Sequence, residues 1–215
     1  MGSRTVTEQQ VKLMLDGMGV LITNNHFVLT ANGDHSSVYV DKDKIYFSPT
    51  AIKVLSREIA VKFQHNDVQV VIAPTGGGCT LSNRVAEELT GLMKRNVFSI
   101  YADKNGDGFE IRRGYGKLIA GKRVLAVEDV LTTGRTSKKI IEATRANSGI
   151  VIGLGTIWNR GDIIVSDFEN LPRLASVVNV KLDVYNVGAC PLCIQNVSIN
   201  TEFGHGAEFL ARKGQ

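Results

Sequence analysis

The sequence predicts an α/β fold: a doubly wound, mostly parallel sheet with a small N-terminal hood of one helix and short strands. From about residue 48, short apolar runs typical of buried strands alternate with amphipathic helical segments. Residues 1–47 lack that alternation and carry a hairpin turn instead. The 215 residues, 43% hydrophobic and 21% charged, suit one globular domain. We therefore expect a single domain over residues 1–215, with a core at about 48–187 and a hood formed by 1–47 plus the C-terminal tail.

Composition excludes some classes of protein and leaves others open. The net charge of +4 suits anionic small substrates as well as nucleic acid, so it decides nothing alone. No run approaches the length of a transmembrane span and no signal peptide opens the sequence, so we expect a cytoplasmic protein without a membrane partner. Three cysteines, an odd number, argue against a disulfide framework and for a reducing compartment.

The hood is predicted to consist of one helix and three short strands. Thr5 and Glu8 have capping-box spacing, and the apolar stripe behind them predicts a helix of about 12 residues. Strands are predicted at 20–23, 26–30 and 37–41, with a hairpin turn at 31–34. Ser48 before Pro49 then predicts the N-cap of a helix that ends near Phe63.

The core is predicted to alternate strands with helices. Strands are expected at 68–73, 97–101, 109–112, from 124, 150–158 and 180–185, helices at 81–94 and 138–146, and an irregular tail thereafter. In doubly wound folds, ligands bind beyond the carboxyl ends of the strands. The loops at 76–78 and 132–137 both follow strands, so we expect them to face one crevice.

Residues 124–137 carry the strongest functional pattern. An apolar strand leads into the acids Glu128 and Asp129, and a Thr-Thr-Gly-x-Thr-Ser turn opens the next helix. A small-residue turn at a helix N-terminus exposes backbone N–H groups at the positive end of the helix dipole, which favours an anion. Carboxylates accept hydrogen bonds from sugar hydroxyls. The pattern therefore predicts a site for a phosphorylated sugar.

This stretch resembles the diphosphate-sugar signature of type I phosphoribosyltransferases, with its apolar strand, acidic pair and Thr-Thr-Gly-x-Thr turn. The resemblance extends over most of the chain and is closest to orotate phosphoribosyltransferases. Residues 26–42 are similar to their hood, 158–161 to their base-binding segment, and 190–206 to the tail of one bacterial and archaeal branch. It implies a pentosyltransferase that moves the 5-phosphoribosyl group from phosphoribosyl diphosphate to orotate, releasing pyrophosphate, in pyrimidine nucleotide synthesis. It also implies Mg²⁺ as cofactor and a homodimer whose mobile loops reach the neighbouring site.

The resemblance further implies a role for each matching residue. Asp129 and Lys104 would be catalytic, Glu128 and Asp129 would hold the ribose hydroxyls, and the 132–136 turn would wrap the 5′-phosphate. No protein ligand to a metal is predicted. The implied substrate-binding residues are Glu128, Asp129, Val130, Leu131, Thr132, Thr133, Gly134, Arg135, Thr136, Arg160, Gly76, Gly77, Gly78, Lys104, Arg112 and Arg113.

Residues 103–114 correspond to the family's mobile loop, whose closure would exclude water from the activated ribose. Lys104 is the residue expected to reach the pyrophosphate, with Arg112 and Arg113 as further cations. For the two arginines, ordinary solvated hairpin charges are the alternative. No histidine occurs between residues 66 and 204, so this loop cannot supply a catalytic histidine.

The acceptor base is predicted from Arg160. A guanidinium there would clamp the orotate carboxylate in a bidentate manner, and a surface arginine at a strand end is the alternative. The family hood normally carries Ser-Gly-Lys/Arg where this chain has residues 31–34, ending in Asp34. His35, Lys42 or Lys44 are candidates to supply the missing positive charge.

Two other functions are weighed against orotate transfer. One is the same reaction with another purine or pyrimidine base. The other is a non-catalytic regulator that senses phosphoribosyl diphosphate and binds nucleic acid, but the roughly 20 residues before the hood are too few for a DNA-binding domain. We therefore expect no nucleic-acid partner.

Cys190 and Cys193 have zinc-knuckle spacing, but no second pair follows. Cys79 and His205 would have to complete a tetrahedral site, so a reduced structural turn is the favoured interpretation. His26 and His65 are expected to be ordinary hood or surface residues.

Overall fold

The computed structural model describes residues 6–213. The hood contains two helices and four two-residue strands: α1 (Glu8–Gly17), β1 (Leu21–Ile22), β2 (Phe27–Val28), β3 (His35–Ser36), β4 (Tyr39–Val40) and α2 (Asp43–Phe47). β2 and β3 form the predicted hairpin, with Gly33 at φ 88° in its turn. β1 and β4 form a second antiparallel pair.

The core and tail follow in the order α3 (Pro49–Phe63), β5 (Val70–Pro74), α4 (Gly77–Met93), β6 (Phe98–Asn105), β7 (Gly108–Glu110), α5 (Tyr115–Ile119), β8 (Arg123–Leu131), α6 (Arg135–Ala146), β9 (Ile150–Asn159), β10 (Leu174–Asn179), α7 (Pro191–Ile194) and α8 (Gly206–Lys213). Short 3₁₀ turns occur at Val165–Asp167 and Val187–Ala189. None of the described helices is long and apolar enough to cross a membrane.

The six core strands form one sheet in the order β10-β9-β8-β5-β6-β7. All neighbouring pairs are parallel except β6 and β7, which form an antiparallel hairpin at the edge. β8 lies at the centre, between β5 and β9. The predicted doubly wound α/β class is confirmed.

Both faces of the sheet are covered by helices, so the strands are buried on both sides. Val71 faces the cluster shared with α1, α3 and α4, where Phe63 is fully buried. Ile72, the next residue, faces the cluster shared with α5 and α6, which contributes Ile140. This double burial explains why the core strands are continuous apolar runs.

Several predicted boundaries need correction. The first helix is capped by Thr7, whose side chain accepts from the Gln10 N–H to form the capping box; Thr5 lies outside the described residues. α4 begins at Gly77 and α6 at Arg135, each several residues before the predicted start. In both cases the helix begins directly after a glycine with positive φ, Gly76 and Gly134. The helix from Pro49 to Phe63, with Ser48 as its N-cap, is confirmed.

The predicted strand at 180–185 is wrong. The sheet strand is β10, at 174–179, and the following residues leave the sheet toward the hood. Their alternating pattern reflects isolated pairings: the Leu182 N–H donates to the Arg160 carbonyl, and Tyr185 forms a single bridge with His35. The tail, predicted as irregular, contains α7 and α8, and α2 and α5 were also not predicted.

Candidate active site

A cavity of about 1240 Å³ opens where the carboxyl end of β8 enters α6. The β8–α6 turn forms its floor, the hood contributes Lys42 and Tyr39, and the β6–β7 hairpin contributes Lys104. Its position at the carboxyl ends of parallel strands is the one expected for a ligand site in this class of fold. Of the predicted site residues, the cavity is lined by Glu128, Asp129, Val130, Thr132, Thr133, Gly134, Arg135, Thr136, Arg160 and Lys104.

The turn from Thr132 to Thr136 is built as an anion site. Gly134 has φ 69° and immediately precedes the 12-residue helix α6, so the N–H groups of the first helical turn, which have no acceptor within the helix, lie at the cavity. A Cβ at Gly134 would lie 3.2 Å from Phe168 Cζ, in a conformation that L residues rarely adopt. Lys138 and Lys139 also line the cavity, which adds positive charge at this end of α6.

Asp129 is held by three donors at the end of β8. The Val130 N–H donates to Oδ1 at 2.8 Å, and the Tyr46 hydroxyl donates to Oδ2 at 3.1 Å. Lys42 Nζ lies 3.2 Å from the same Oδ2. Burial alone would lower the pKa of the Lys42 ammonium, but the Asp129 carboxylate outweighs it and raises that pKa above its ordinary value. These three donors fix the orientation of the carboxylate.

Glu128 has a different environment from its neighbour. Withdrawal from solvent raises the pKa of its carboxyl to about 7, while the Ser137 hydroxyl, which donates to Oε2, opposes that rise. Near neutral pH, Glu128 can therefore either donate or accept a hydrogen bond. A sugar hydroxyl can satisfy both states.

Arg160 is buried, with 2% of its surface exposed, just beyond β9. Its Nη2 donates to Ser36 Oγ and to the Val38 carbonyl, both at 3.1 Å. Its Nε is buried and donates to no group among the described residues. Burial lowers the pKa of this guanidinium to about 10, which still leaves it charged at neutral pH. The buried Nε thus lacks an acceptor among the described residues, and an anionic ligand would supply one.

Backbone contacts fix Arg160 relative to the anion turn. The N–H groups of Arg160 and Gly161 both donate to the Leu131 carbonyl, at 2.9 and 3.1 Å. A Cβ at Gly161 would overlap the Thr132 carbonyl oxygen, so only glycine allows this approach. Arg160 and the turn are therefore parts of one rigid unit.

The triple-glycine segment lies beside the cavity but does not line it. Gly76 has φ 92° and Gly77 opens α4. A Cβ at Gly77 would lie 2.5 Å from Cε2 of Tyr46, the residue that contacts Asp129. Tyr46 therefore separates the glycines from the acidic pair. Sequence reasoning missed this tyrosine, since nothing in its spacing relates it to either motif.

The predicted mobile loop is largely a β-hairpin, in which Lys104 pairs with Phe109 across the turn. Lys104 lines the cavity, as expected. Arg112 and Arg113 do not line it: Arg112 Nη2 donates to Glu110 Oε2 at 2.8 Å, and Arg113 pairs with Asp103. Each arginine pairs with an acid that the hairpin itself supplies.

The hairpin tip is attached to α6 of the same chain. Asp107 Oδ1 lies 2.7 Å from Lys139 Nζ, and that ammonium also donates to the Asp107 carbonyl. The Lys139 ammonium lowers the pKa of the Asp107 carboxyl. The hairpin thus covers one side of the cavity.

The hood contains the three residues that were candidates for the missing positive charge, and they differ in position. His35 is buried away from the cavity, and Lys44 Nζ donates to the Gly19 carbonyl at 2.8 Å. Of the three candidates, only Lys42 lines the cavity. Asp34 also lines it, but its Oδ2 accepts from the Thr30 hydroxyl at 2.6 Å. The acid that replaces the expected base is thus hydrogen-bonded within the hood turn, while Lys42 pairs with Asp129.

Comparison with known proteins gives a consistent result. The family model for the phosphoribosyl transferase domain matches residues 43–169. Orotate phosphoribosyltransferase of Caldanaerobacter subterraneus subsp. tengcongensis is 36% identical over 179 residues, 83% of this chain and 88% of that protein. The Thermotoga maritima protein of the same name is 33% identical over 187 residues, 87% of this chain and 94% of that protein.

Solved structures share the fold at lower identity. Orotate phosphoribosyltransferase of Mycobacterium tuberculosis, in complex with Fe(III) dicitrate, has a TM-score of 0.62 at 20% identity and covers 80% of this chain and 95% of its own. An adenine phosphoribosyltransferase from Giardia lamblia reaches a TM-score of 0.59 at 17% identity, with 81% and 98% covered. These likenesses concern the fold alone. Together with the family match and the curated relatives, they show that the chain belongs to the phosphoribosyl transferase family.

Proposed function

We propose that this protein transfers the 5-phosphoribosyl group of phosphoribosyl diphosphate to orotate, giving orotidine 5′-phosphate and pyrophosphate. The observation that carries the proposal is the buried Arg160. This residue lines the same cavity as the anion turn, and its Nε has no partner among the described residues. The curated relatives that cover most of the chain are named orotate phosphoribosyltransferases.

The donor is recognised at the β8–α6 turn. The N–H groups around Gly134 and the N-terminal end of α6 would bind the 5′-phosphate. Glu128 and Asp129, directly before that turn, would accept hydrogen bonds from the 2′ and 3′ hydroxyls of the ribose. The fixed orientation of Asp129, with Tyr46 at 3.1 Å, supports a positioning role for that carboxylate.

The acidic pair also suits Mg²⁺, because carboxylate oxygens are hard ligands and both side chains line the cavity. Glu128 and Asp129 would hold the ion together with oxygens of the substrate. When bound, the ion would offset the charge that develops on the departing pyrophosphate.

Lys104 would bring a cation to the leaving group from the hairpin side. The transition state should resemble an oxocarbenium ion, since the bond to pyrophosphate breaks as the base nitrogen attacks C1 with inversion. Water excluded by the hairpin cannot capture this reactive carbon. Gly76, Gly77 and Gly78 could contact pyrophosphate only after Tyr46 moves, because that ring lies against Gly77.

Arg160 and Lys42 would recognise the base. A guanidinium binds a planar carboxylate through two parallel hydrogen bonds, so Arg160 favours orotate over uracil, which lacks that group. The ammonium of Lys42 would contribute the positive charge that the family hood usually supplies from another position.

The proposal includes a homodimer in the cytoplasm. Arg112, which is half exposed outside its own cavity and pairs with Glu110, would reach the neighbouring subunit by exchanging that partner. The odd cysteine count favours a reducing compartment. Light scattering of the purified protein tests the dimer, and a monomer at micromolar concentration would contradict it.

The function is tested by measuring pyrophosphate release from phosphoribosyl diphosphate and Mg²⁺ with a panel of orotate, uracil, adenine and hypoxanthine. We expect turnover with orotate and at least about 100-fold lower kcat/KM with uracil. Turnover only with another base would contradict orotate as the acceptor. Salt-sensitive nucleic-acid binding without any turnover would instead indicate the regulator.

A further inference from the structure

Two histidines of the hood and two cysteines of the tail meet in the interior, away from the active-site cavity. They are His26, His35, Cys190 and Cys193, and their ligand atoms all lie within 4.8 Å of one another. His26, His35 and Cys190 are each at most 1% exposed. We propose that these four side chains form a structural Cys₂His₂ zinc site that fastens the C-terminal tail to the hood hairpin.

The distances between ligand atoms support a tetrahedral ion. Cys190 Sγ and Cys193 Sγ lie 3.6 and 3.7 Å from His26 Nε2, and Cys193 Sγ lies 3.4 Å from His35 Nδ1. Zinc bonds of about 2.3 Å to sulfur and about 2.05 Å to nitrogen put such atoms about 3.5 Å apart. The two imidazole nitrogens are 2.7 Å apart and would separate to about 3.3 Å around the ion.

The surroundings prepare His26 as a ligand. Its Nδ1 lies 2.7 Å from the Val197 carbonyl, an acceptor, so Nδ1 carries the proton and Nε2 presents a lone pair to the cluster. Val197 follows the short helix α7, and its N–H donates to the Leu192 carbonyl between the two cysteines. The segment 190–197 thus supplies both thiols and the carbonyl that orients His26.

The charge and spacing of the cluster suit a zinc ion. Two thiolates and Zn²⁺ sum to zero charge, which is compatible with an interior position. Cys-x-x-Cys spacing is typical of structural zinc ligands. The sequence favoured a reduced structural turn, with Cys79 and His205 as the pair that any zinc site would need. The proposed completing residues are instead His26 and His35, since His205 pairs with Glu208 at 2.6 Å on the surface and Cys79 lies on α4.

The site would join segments far apart in sequence. His26 directly precedes β2 and His35 lies in β3. The tail then runs along the same hairpin, with the Asn200 N–H donating to the His26 carbonyl and the His205 N–H to the Val28 carbonyl. Ser36, next to His35, contacts Arg160. Zinc would therefore stabilise the part of the hood that holds this arginine.

The test is titration of the reduced, chelator-treated full-length protein with Co²⁺ and then Zn²⁺. We expect one Co²⁺ per chain, with the intense visible bands of tetrahedral coordination and thiolate charge transfer, displaced by one equivalent of Zn²⁺. No such spectrum, or only weak octahedral bands, would overturn the proposal. This wild-type measurement decides the matter even where a variant fails to fold.

Variants identify the ligands. Cys193→Ser and His26→Gln should each weaken Zn²⁺ binding by at least about 100-fold. Cys79→Ser and His65→Gln, which alter the same residue types outside the cluster, should bind Zn²⁺ as the wild type does. Chelation should lower the Tm of the wild type and of both controls but not of Cys193→Ser. Unchanged Zn²⁺ affinity in Cys193→Ser would overturn the assignment.

Discussion

Arg160 Nη2 donates to Ser36 Oγ at 3.1 Å, across 124 positions of sequence. Ser36 in turn donates to the Asp183 carbonyl at 2.6 Å, so the hydroxyl both accepts and donates. The contact joins the end of a core strand to the hood hairpin and leaves the buried Arg160 Nε without a partner among the described residues. If Arg160 binds the base as proposed, recognition of the base depends on the placement of the hood as well as on the core.

Arg160→Lys should reduce kcat/KM for orotate by about 100-fold, because a lysine cannot form two parallel hydrogen bonds to a carboxylate (a loss of about 3 kcal/mol). The KM for phosphoribosyl diphosphate should change by less than about threefold, since the proposed site for its phosphate is the anion turn, which the Arg160 side chain does not form. Steady-state kinetics with each substrate varied in turn measure both effects.

Arg84→Lys is the matched control for that substitution. Arg84 lies on α4 and pairs with the exposed Glu87, away from the cavity, so its kinetics should match the wild type. Equal losses for both substrates in Arg160→Lys, at unchanged Tm, would show that Arg160 does not act on the base.

Lys42→Met should raise the KM for orotate by about tenfold, since it removes a cation from the cavity and leaves Asp129 with one charged partner fewer. Lys53→Met, on an exposed position of α3, serves as the control. An unchanged KM for orotate in Lys42→Met would mean that the hood obtains its charge elsewhere.

Gly134→Ala should destabilise the fold by about 1–2 kcal/mol and abolish tight binding of phosphoribosyl diphosphate, because φ of 69° is unfavourable for alanine. Gly91→Ala offers the opposite case: Gly91 is exposed within α4, and a Cβ there meets nothing within 4 Å. That substitution should stabilise the helix by about 0.5–1 kcal/mol. Urea unfolding and calorimetric titration measure the two effects, and normal binding by Gly134→Ala would contradict the role of the turn.

Glu128 predicts a pH dependence of stability in the ligand-free protein. Its pKa rises from an ordinary 4.5 to about 7 on folding, so the folded state retains a proton that the unfolded state releases between those values. The stabilisation is complete below pH 4.5 and is lost as the pH rises through 7. The difference in unfolding free energy between wild type and Glu128→Gln should therefore shift against the wild type from pH 5 to 8. A constant difference would show that Glu128 is ionised throughout.

The parts of the fold and site that depend on local sequence could be predicted. Continuous apolar runs predicted β5, β6, β8 and β9 because both faces of the sheet are covered, and Ser48-Pro49 predicted the start of α3. Glu128, Asp129 and the turn around Gly134 are adjacent in the chain, so their common position in the cavity required no tertiary information.

The parts that depend on distant packing could not be predicted. Tyr46 approaches Asp129 only because α2 packs against α4, and His26 meets Cys190 only because the tail returns to the hood. Arg112 and Arg113 were expected in the cavity, but the register of the hairpin pairs them with Glu110 and Asp103. The strand expected at 180–185 was misplaced because alternation marks extended chain, whether or not it joins a sheet.

A crystal structure with orotidine 5′-phosphate tests the central claim most directly, because this ligand carries both the 5′-phosphate and the carboxylate of the base. We predict that its 5′-phosphate accepts hydrogen bonds from N–H groups of residues 132–136, and that its carboxylate lies within hydrogen-bonding distance of Arg160 Nε. A phosphate bound elsewhere, or a base that does not contact Arg160, would contradict the account.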